Sequence, residues 1–467
     1  MDITKTVFRR KFALNMYKNE YIRMAEMSFT KDFVNDGRGS PYPLRRRDPS
    51  AVEKVNMGEY RVIGGASERY FCAFFPYATY RLMAEEGGRA GFSFVIGDVE
   101  ARVLMENGSI AFYCNGREEA SPIGGTAKEL AVTCRPGAFD VYVGGENGLG
   151  FVHTFSCAEF ADSNVSEIFS GAQVYLICAD TAVKNVFSCV DCGISQADIR
   201  PVRYENGEVM QENGRVFFTL SVRMQAGAYQ GIFAWIPSTA EFEMTGALFF
   251  DAGDGRWCGD VASSLLYHRE KGEWYLWVCS FSHGHGLAHA SFKGDVRYGV
   301  NVLDVKLMPR SDGGDITDFA AMKGDEDPDF FYDTAIGKWR MAICRVDPAT
   351  RAYRYVFFES DDPFEGHKYV GKGLDGAETG GSFVKIDGEL YFICGNDFKS
   401  VSDYRIYGKN GMTKAVFDIP DGGFRGWGTV VPVCMGTRMR YFWLTFDRHN
   451  GSDYNWSYGN LYVFEAE

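Results

Sequence analysis

The stretch DEDPDFFYDTAIGKWRMAICRV, residues 325–346, indicates a strand, a short turn and a second strand, with carboxylates crowded at its start. Alternating aromatic and aliphatic residues on both sides of Gly337 are typical of an antiparallel hairpin. Like charges placed before a buried strand destabilise a fold unless they cap a turn, bind a cation or take part in chemistry. The stretch therefore bears on both the fold and the function.

Hairpins of this kind recur along the second half of the chain, at intervals of roughly 50–70 residues. Each opens with a carboxylate or a small polar residue and continues as strand, turn and strand. The five openings are ADIRPVRYENGEVMQENGRVFFTLSVR, WCGDVASSLLYHREKGEWYLWVCSF, DEDPDFFYDTAIGKWRMAICRV, AETGGSFVKIDGELYFICGND and GWGTVVPVCMGTRMRYFWLTFDR. Five β-meander units predict a five-bladed β-propeller over residues 193–467.

The chain before these units contains two segments that differ in their sequence pattern. Residues 51–192 contain short alternating strands separated by Asn-Gly and Gly-Gly turns, which predict an antiparallel β-sandwich. Its hairpin order resembles the concanavalin-like jelly rolls attached to many carbohydrate-active enzymes, although a structural or interface role, as in a homo-oligomer, is an equal alternative. Residues 1–50 are expected to form an N-terminal extension, in which the segment Phe8–Met27 is compatible with a helix. The predicted fold class is all-β.

Composition excludes several classes of function. The 467 residues carry a formal net charge of −13, with a pI near 5.2, which argues against a nucleic-acid partner. No apolar run approaches the roughly 20 residues of a membrane helix, and the N-terminus lacks a secretory h-region, so a cytoplasmic location is expected. The twelve cysteines are mostly scattered singly, as reduced buried thiols are. Cys189 and Cys192 lack a second C-x-x-C motif, so neither zinc nor redox chemistry is predicted there.

Carboxylates recur at the beginnings of the predicted blades. In a propeller the first strand of every blade lines the central channel, so residues that begin these strands converge from distant parts of the sequence. The candidates are Asp198, Asp260, Asp327 and Glu378. Glycoside hydrolysis needs two carboxylates that flank the scissile bond, one acting as acid and the other as base or nucleophile. A third carboxylate nearby raises the pKa of the acid.

The same openings resemble the blade motifs of glycoside hydrolase families 43 and 32. This resemblance implies that Asp198 in QADIRPV is the base or nucleophile, that Asp327 in DPDFFYD orients substrate and modulates the acid, and that Glu378 in GAETGG is the general acid. Trp257-Cys-Gly-Asp260-Val is similar to the second-blade motif. The fifth unit has RGWGTVV where many members carry a histidine linked to calcium, so no metal or cofactor is expected.

Further residues are candidates for substrate contact. His283 and His285 lie in SHGHGLAHA, a turn that the resemblance places near the mouth of the funnel, with an ordinary turn as the alternative. Trp257 and Trp427 are candidates for stacking on sugar rings, with core packing as the alternative. Arg448, in FDRHNGSDYNW, is a candidate for contacting sugar hydroxyls.

The sequence thus predicts a glycoside hydrolase that acts on small furanoside-type or related oligosaccharides. Arabinofuranosides, xylosides and fructosides are the substrate classes that the family resemblance implies, which would make the protein an arabinofuranosidase or a fructofuranosidase. Two alternatives stay open at this stage. One is a non-catalytic carbohydrate-binding propeller, and the other is a phosphorylase or transglycosylase on the same fold.

Overall fold

The chain is almost entirely β-structure. A computed structural model describes residues 1–24, 52–56, 59–62, 67–85, 88–125, 127–145, 148–311, 315–374, 378–396, 404–417, 428–446 and 460–466. Within these ranges the assigned helices are the single α-helical turn α1 (Ser166–Phe169) and a 3₁₀ turn, Ala158–Phe160. The prediction of an all-β fold is confirmed. In the same ranges no helix has the length and apolar character needed to cross a membrane.

The chain divides into two compact units. The first unit contains Met1–Glu20, Cys192–Gly253 and Cys258–Glu467, and the second contains Tyr21–Asp191 and Asp254–Trp257. Along the sequence, the boundary between the units at Asp191 and Cys192 follows the last of the turn-rich strands and precedes the longer hairpins. The first 20 residues belong to the first unit, which differs from the separate extension predicted over residues 1–50.

The second unit is built from two antiparallel sheets. Their orders are β10-β9-β8-β7-β14-β5 and β13-β12-β11-β6-β15-β4-β3, and β2 pairs with β15. Asn107 and Asn115 begin the two-residue turns of β8–β9 and β9–β10 with positive φ, as type I′ turns require. The strands are β2 (Tyr21–Arg23), β3 (Val52–Asn56), β4 (Glu59–Val62), β5 (Ser67–Ala73), β6 (Thr79–Ala84), β7 (Arg89–Ile96), β8 (Val99–Glu106), β9 (Ser109–Cys114), β10 (Arg117–Pro122), β11 (Glu129–Arg135), β12 (Ala138–Gly145), β13 (Gly148–Ser156), β14 (Gln173–Ala179) and β15 (Ala182–Asp191).

The core of the second unit is aromatic. Phe94 of one sheet and Phe139 of the other have ring centroids 5.0 Å apart, and Phe112 and Phe155 are also 5.0 Å apart across the sheets. All four side chains are buried. The period-2 alternation of the strands sends these rings to the same side of each sheet, so the two sheets share one apolar layer.

The first unit contains β1 and all strands after β15. They are β1 (Val7–Leu14), β16 (Ser195–Pro201), β17 (Arg203–Tyr204), β18 (Gln211–Glu212), β19 (Arg215–Arg223), β20 (Ala228–Ile236), β21 (Glu241–Asp251), β22 (Val261–His268), β23 (Glu273–Ser280), β24 (Gly286–Phe292), β25 (Gly299–Asp304), β26 (Lys306–Leu307), β27 (Arg310–Ser311), β28 (Ala321–Met322), β29 (Glu326–Asp333), β30 (Lys338–Val346), β31 (Tyr353–Ser360), β32 (Lys368–Lys372), β33 (Glu378–Ile386), β34 (Glu389–Asn396), β35 (Tyr404–Gly408), β36 (Gly411–Lys414), β37 (Val416–Phe417), β38 (Thr429–Met435), β39 (Arg438–Phe446) and β40 (Leu461–Ala466).

Apart from β27 and β28, which pair with each other, these strands form five sheets, which we number in chain order. Sheet 1 has the order β16-β19-β20-β21-β25, sheet 2 β17-β22-β23-β24-β26, sheet 3 β29-β30-β31-β32, sheet 4 β33-β34-β35-β36 and sheet 5 β38-β39-β40-β1-β37. We call β16, β22, β29, β33 and β38 the leading strands. Each leading strand contacts the next, and β38 contacts β16, so the five contacts close a ring.

Apolar clusters lie between consecutive sheets. One cluster joins sheets 1 and 2, a second joins sheets 2 and 3, a third joins sheets 3 and 4, and a fourth joins sheets 4 and 5. Trp277 of sheet 2, for example, packs in the same cluster as Met341 of sheet 3. Both faces of an interior sheet are therefore apolar, which explains why these strands are almost continuously hydrophobic.

The N-terminal strand belongs to sheet 5. Strand β1 pairs in antiparallel fashion with β40, from Phe8 opposite Ala466 to Leu14 opposite Leu461. Phe8 is fully buried, with its ring 5.2 Å from that of Trp443. The helical interpretation of the segment Phe8–Met27 is therefore wrong for β1, because burying Phe8 and covering the edge of β40 outweigh local preference.

Candidate active site

A recurrent β-bulge positions the candidate carboxylates. In four of the five leading strands the ladder shifts register close to the start, between Ala197 and Arg200, Val261 and Ser264, Glu326 and Asp329, and Thr379 and Ser382. The first inserted residue has a left-handed φ in every case: 53° at Asp198, 56° at Ala262, 49° at Asp327 and 61° at Gly380. A left-handed non-glycine residue stores backbone strain, and such strain is concentrated at functional sites.

The bulges place the predicted acids in two different classes of position. Asp198 and Asp327 are themselves the strained residues of sheets 1 and 3. Asp260 and Glu378 precede the strained residue of their own sheets by two positions, as Asp325 does in sheet 3. The three sequence-predicted catalytic residues are therefore not equivalent within the repeat.

Asp198 and Asp327 are two buried carboxyls whose charges interact. Both are buried, with exposed fractions of 3% and 2%. The Ser221 hydroxyl donates to Asp198 Oδ2 at 2.6 Å, while the Gly380 amide and the Thr379 hydroxyl donate to Asp327 Oδ2 at 3.1 and 3.2 Å. Burial raises the pKa of both carboxyls, and the charge of Asp327 raises the pKa of Asp198 further.

Four carboxylates lie near the buried thiol of Cys279. Burial raises the pKa of the Cys279 thiol, and four carboxylate charges raise it further. These are the charges of Glu326, Asp327, Asp260 and Asp198. The acids come from the beginnings of three leading strands, in sheets 1, 2 and 3. Asp198, Asp260 and Asp327 therefore all lie near Cys279.

Two arginines that were not among the predicted residues lie near these acids: Arg223, 3.6 Å from Asp198 Oδ2, and Arg200. Arg200 is the more deeply buried of the two. It is 2% exposed and lies two residues after Asp198 on β16. Burial lowers its pKa, but this is outweighed by Tyr355, Asp327, Asp329 and Asp198, so that the pKa is raised overall. The arginine in QADIRPV was the available signal, because strand residues two apart lie on the same face.

Glu378 is fully buried, and both of its carboxylate oxygens are bonded to protein groups. The Tyr355 amide donates to Oε2 at 3.1 Å, and Arg405 Nη1 and the Tyr407 hydroxyl donate to Oε1. Burial raises its pKa, against the opposing effect of Tyr407, Tyr355 and Arg405. A Cβ on Gly373 would lie 2.0 Å from Oε2, so only glycine leaves room for this carboxylate.

The position of Glu378 relative to the pair is set by the backbone. The two residues after it, Thr379 and Gly380, are the donors to Asp327 Oδ2. The hydrogen bonds of its side chain go instead to β31 of sheet 3 and β35 of sheet 4. Glu378 is therefore adjacent to the pair in sequence, but it belongs to a separate hydrogen-bond set.

The remaining acids of the stretch that begins at residue 325 have partners. Asp325 receives two hydrogen bonds from the Arg345 guanidinium, at 2.8 and 2.7 Å. Glu326 lies 2.7 Å from His285 Nε2. Asp329 accepts from the Phe383 amide at 2.6 Å, from Ser264 at 2.8 Å and from Arg203. Asp333 accepts from Arg340 at 2.7 Å and from the Ala335 amide, as a hairpin turn residue does.

The other predicted contact residues occupy different settings. Asp260 is 1% exposed and accepts from the Ser282 amide and from Ser280, at 2.9 and 3.0 Å; burial raises its pKa. His283 lies within hydrogen-bond distance of Ser280 and lines a cavity of about 330 Å³ together with Arg310. His285 lies against Glu326, with its Nε2 2.7 Å from the carboxylate.

Trp257, Trp427 and Arg448 are the remaining residues predicted to contact substrate. Trp257 is buried in the second unit, against Phe75 and Phe169, with ring centroids 5.9 and 4.7 Å away. This is a core position, so the predicted stacking of Trp257 on a sugar is wrong in this structure. Trp427 and Arg448 lie outside the described residues.

Comparison with known proteins gives only distant likenesses. No protein-family model matches the sequence, and no curated protein matches it. Solved structures that match include a thermostable family-43 glycoside hydrolase (12% identity, TM-score 0.37, 58% of this chain and 89% of that one) and Bacillus subtilis levansucrase (13%, 0.40, 58% and 86%). Another is Zg3597, a family 117 glycoside hydrolase from Zobellia galactanivorans (11%, 0.39, 58% and 84%). The predicted resemblance is confirmed as a likeness of fold, which at these TM-scores carries no argument about chemistry.

Because Asp198 and Asp327 are buried with raised pKa values, we expect that removing the charge of one of them increases the free energy of unfolding. Because the folded-state pKa of Asp327 is raised, its stabilising contribution is complete below the usual aspartate pKa of about 3.9 and is lost as the pH rises through the raised value. We expect Asp327→Asn, which keeps an oxygen acceptor for Gly380, to be more stable than the wild type at pH 7 by about 0.5–2 kcal/mol. Urea unfolding at pH 7 and at pH 4 measures this; the gain should shrink at the lower pH, and a loss of stability at pH 7 would contradict it.

Proposed function

We propose that the five sheets of the first unit are the blades of a five-bladed β-propeller and that the second unit is a concanavalin-like sandwich. Two observations support the propeller. The leading strands contact one another in a closed ring, and apolar clusters fill the spaces between consecutive sheets. The antiparallel sheets of the second unit, with their shared aromatic layer, support the sandwich.

We propose that the chain is a glycoside hydrolase whose chemistry is centred on Asp198 and Asp327. One observation carries this proposal: two buried, mutually repelling carboxylates occupy strained bulges of different leading strands, beside Asp260 and Arg200. Maintaining two strained residues and two buried like charges costs stability, and such arrangements are concentrated at active sites. Paired carboxylates of shifted pKa are the chemistry that glycoside hydrolysis requires.

In this proposal each carboxylate has its own role. Asp198 acts on water as base or attacks the anomeric carbon as nucleophile. Asp327, held by the Thr379 hydroxyl and the Gly380 amide, orients the sugar, and Glu378, whose raised pKa favours the protonated form, is the general acid. The substrates are small furanoside-type or related oligosaccharides such as arabinofuranosides, xylosides and fructosides. The cytoplasmic location stays a prediction.

The proposed role of Glu378 as general acid is tested by comparing the activity of Glu378→Gln on substrates with poor and with good leaving groups. A general acid matters most when the leaving group is a poor one, so Glu378→Gln should lower kcat/KM for an alkyl glycoside by about 10²-fold and much less for a nitrophenyl glycoside. Since the raised pKa belongs to the acid, the fall of kcat/KM at high pH should also be lost in this variant. Glu389→Gln changes an exposed carboxylate of the same sheet and should leave both substrates unaffected. Equal losses on both substrates would contradict the assignment.

A second candidate function is supported by the hydrogen bonds of Glu378. Both of its oxygens have protein donors, as a structural carboxylate would, so a non-catalytic carbohydrate-binding propeller is the alternative. Binding of oligosaccharides, measured by calorimetry, without turnover of any glycoside would favour this alternative. Turnover that depends on inorganic phosphate would indicate a phosphorylase, and transfer to a second sugar a transglycosylase.

A further inference from the structure

A cluster of two thiols and a carboxylate lies in the second unit, apart from the carboxylates described above. Cys114 ends β9, Cys157 follows β13, and Glu159 lies in the 3₁₀ turn Ala158–Phe160. The two Sγ atoms are 3.1 Å apart, and the Cys157 thiol donates to Glu159 Oε2 at 3.4 Å. One ligand atom from each of the three residues lies within 4.8 Å of the other two. Strands β9 and β13 belong to different sheets, so the cluster spans the two layers.

We propose that Cys114, Cys157 and Glu159 bind a thiophilic divalent cation, of which Zn²⁺ is the best match. Two thiolates and a carboxylate oxygen are a ligand set that zinc accepts, with water as the fourth ligand. Asn115 donates to Glu159 Oε1 at 3.3 Å, which leaves Oε2 turned toward the thiols. Such hydrogen bonds commonly orient the ligands of a metal site.

Binding of a divalent ion neutralises most of the charge of the deprotonated cluster. Two thiolates, one carboxylate and a divalent cation carry a net charge of −1. Arg117, which pairs with Cys114 across the β9–β10 hairpin and donates to the carbonyl oxygen of Ser156, lies beside the site and also pairs with Glu119 at 3.1 Å. The release of one proton from each thiol accompanies binding, so no oxidant or reductant is consumed.

The separation of the sulfur atoms, 3.1 Å, lies between that of a disulfide and that of two thiolates on zinc. Tetrahedral Zn²⁺ with Zn–S bonds of about 2.3 Å holds two sulfurs about 3.8 Å apart, so the thiols would move apart by about 0.7 Å. A disulfide of about 2.05 Å needs a closer approach of about 1 Å. Both cysteines are at most 3% exposed, which shields them from bulky oxidants, whereas the exposed Glu159 gives a small ion a route from solvent. The sequence alone did not indicate this site, because its cysteines are distant along the chain.

Cobalt(II) titration of the full chain, after chelator treatment and under reductant, tests the proposal. We expect a thiolate-to-cobalt charge-transfer band that saturates at one equivalent and is displaced by Zn²⁺, together with a higher melting temperature in Zn²⁺. Cys157→Ser should abolish the band. Glu159→Gln, an exposed change that should not impair folding, should weaken binding by at least about 10-fold. Cys178→Ser and Glu167→Gln, in the same unit, are the matched controls.

Two kinds of result would overturn the proposal, one from the cobalt spectra and one from peptide mapping. One is the absence of the band in the reduced wild type, or its persistence in Cys157→Ser. The other is a Cys114–Cys157 disulfide found by peptide mapping in a protein that binds no cobalt after reduction. These outcomes do not depend on whether the first unit cleaves glycosides, because the ligands all lie in the second unit.

Discussion

Asp198→Asn is expected to lower kcat for a nitrophenyl furanoside by about 10²- to 10⁴-fold, the usual contribution of a positioned base. An asparagine fits the same space and can accept the hydrogen bond from Ser221, but it can neither take a proton nor attack an anomeric carbon. The carboxylate is 3% exposed, is repelled by Asp327 and pairs with Arg223 at 3.6 Å. The replacement therefore removes one repulsion and one ion pair, whose effects on the free energy of unfolding oppose each other. The measurement is steady-state kinetics together with urea unfolding of the same preparation.

The matched control for this variant is Asp304→Asn, an exposed change at the end of β25 in the same sheet. It should retain wild-type kcat. Azide offers a second check, because a small anion can replace a missing nucleophile or base and restore turnover in the variant. Wild-type kcat in Asp198→Asn would remove Asp198 from the chemistry, whatever the substrate.

Arg345→Met is expected to destabilise the first unit by about 3–5 kcal/mol, the cost of removing one partner of a buried ion pair. Arg345 and Asp325 are both fully buried, and the guanidinium forms two hydrogen bonds with the carboxylate. It also donates to the carbonyl oxygens of Ile316 and Asp318, at 3.0 and 2.6 Å. Methionine leaves a buried carboxylate and these carbonyls without their donor. Calorimetric melting of the whole chain measures the loss.

A double-mutant cycle separates the pair from the rest of this network. Asp325→Asn in the Arg345→Met background removes the uncompensated charge and should recover part of the lost stability. Arg215→Met breaks the exposed pair with Glu243, at 3.2 Å, and should cost no more than about 1 kcal/mol. A loss of that size for Arg345→Met as well would show that the buried pair contributes little.

The candidate site was partly predictable from the sequence. Asp198 and Asp327 could be identified because each begins a hairpin of the same repeat, and residues that begin repeated strands converge. Their partners could not be identified in this way. Arg200 was overlooked, and the three acids around Asp327 that had no assigned role form contacts with Arg345, His285 and Arg203. These contacts depend on register shifts that no local pattern encodes.

For Glu378 and Trp257 the sequence motif indicated the position along the chain but not the contacts of the side chain. Glu378 occupies the predicted place at the start of a leading strand, but its side chain bonds to the third strands of two sheets. Trp257 lies three residues before Asp260, yet its ring packs against Phe75 and Phe169 in the other unit. The direction of a side chain depends on where its bulge and its neighbouring sheets lie.

Strand content, turn positions and the order of the hairpins were determined by the sequence alone, because period-2 alternation and Asn-Gly turn chemistry act over a few residues. Tertiary structure decided the rest. It placed β1 in sheet 5, more than 440 residues from β40 along the chain, and brought Cys114 to Cys157 across two sheets. It also joined Asp198 to Asp327, 129 residues away. Such contacts depend on the burial of apolar faces and on the closing of strand edges, which are properties of the assembled sheets and not of any short segment.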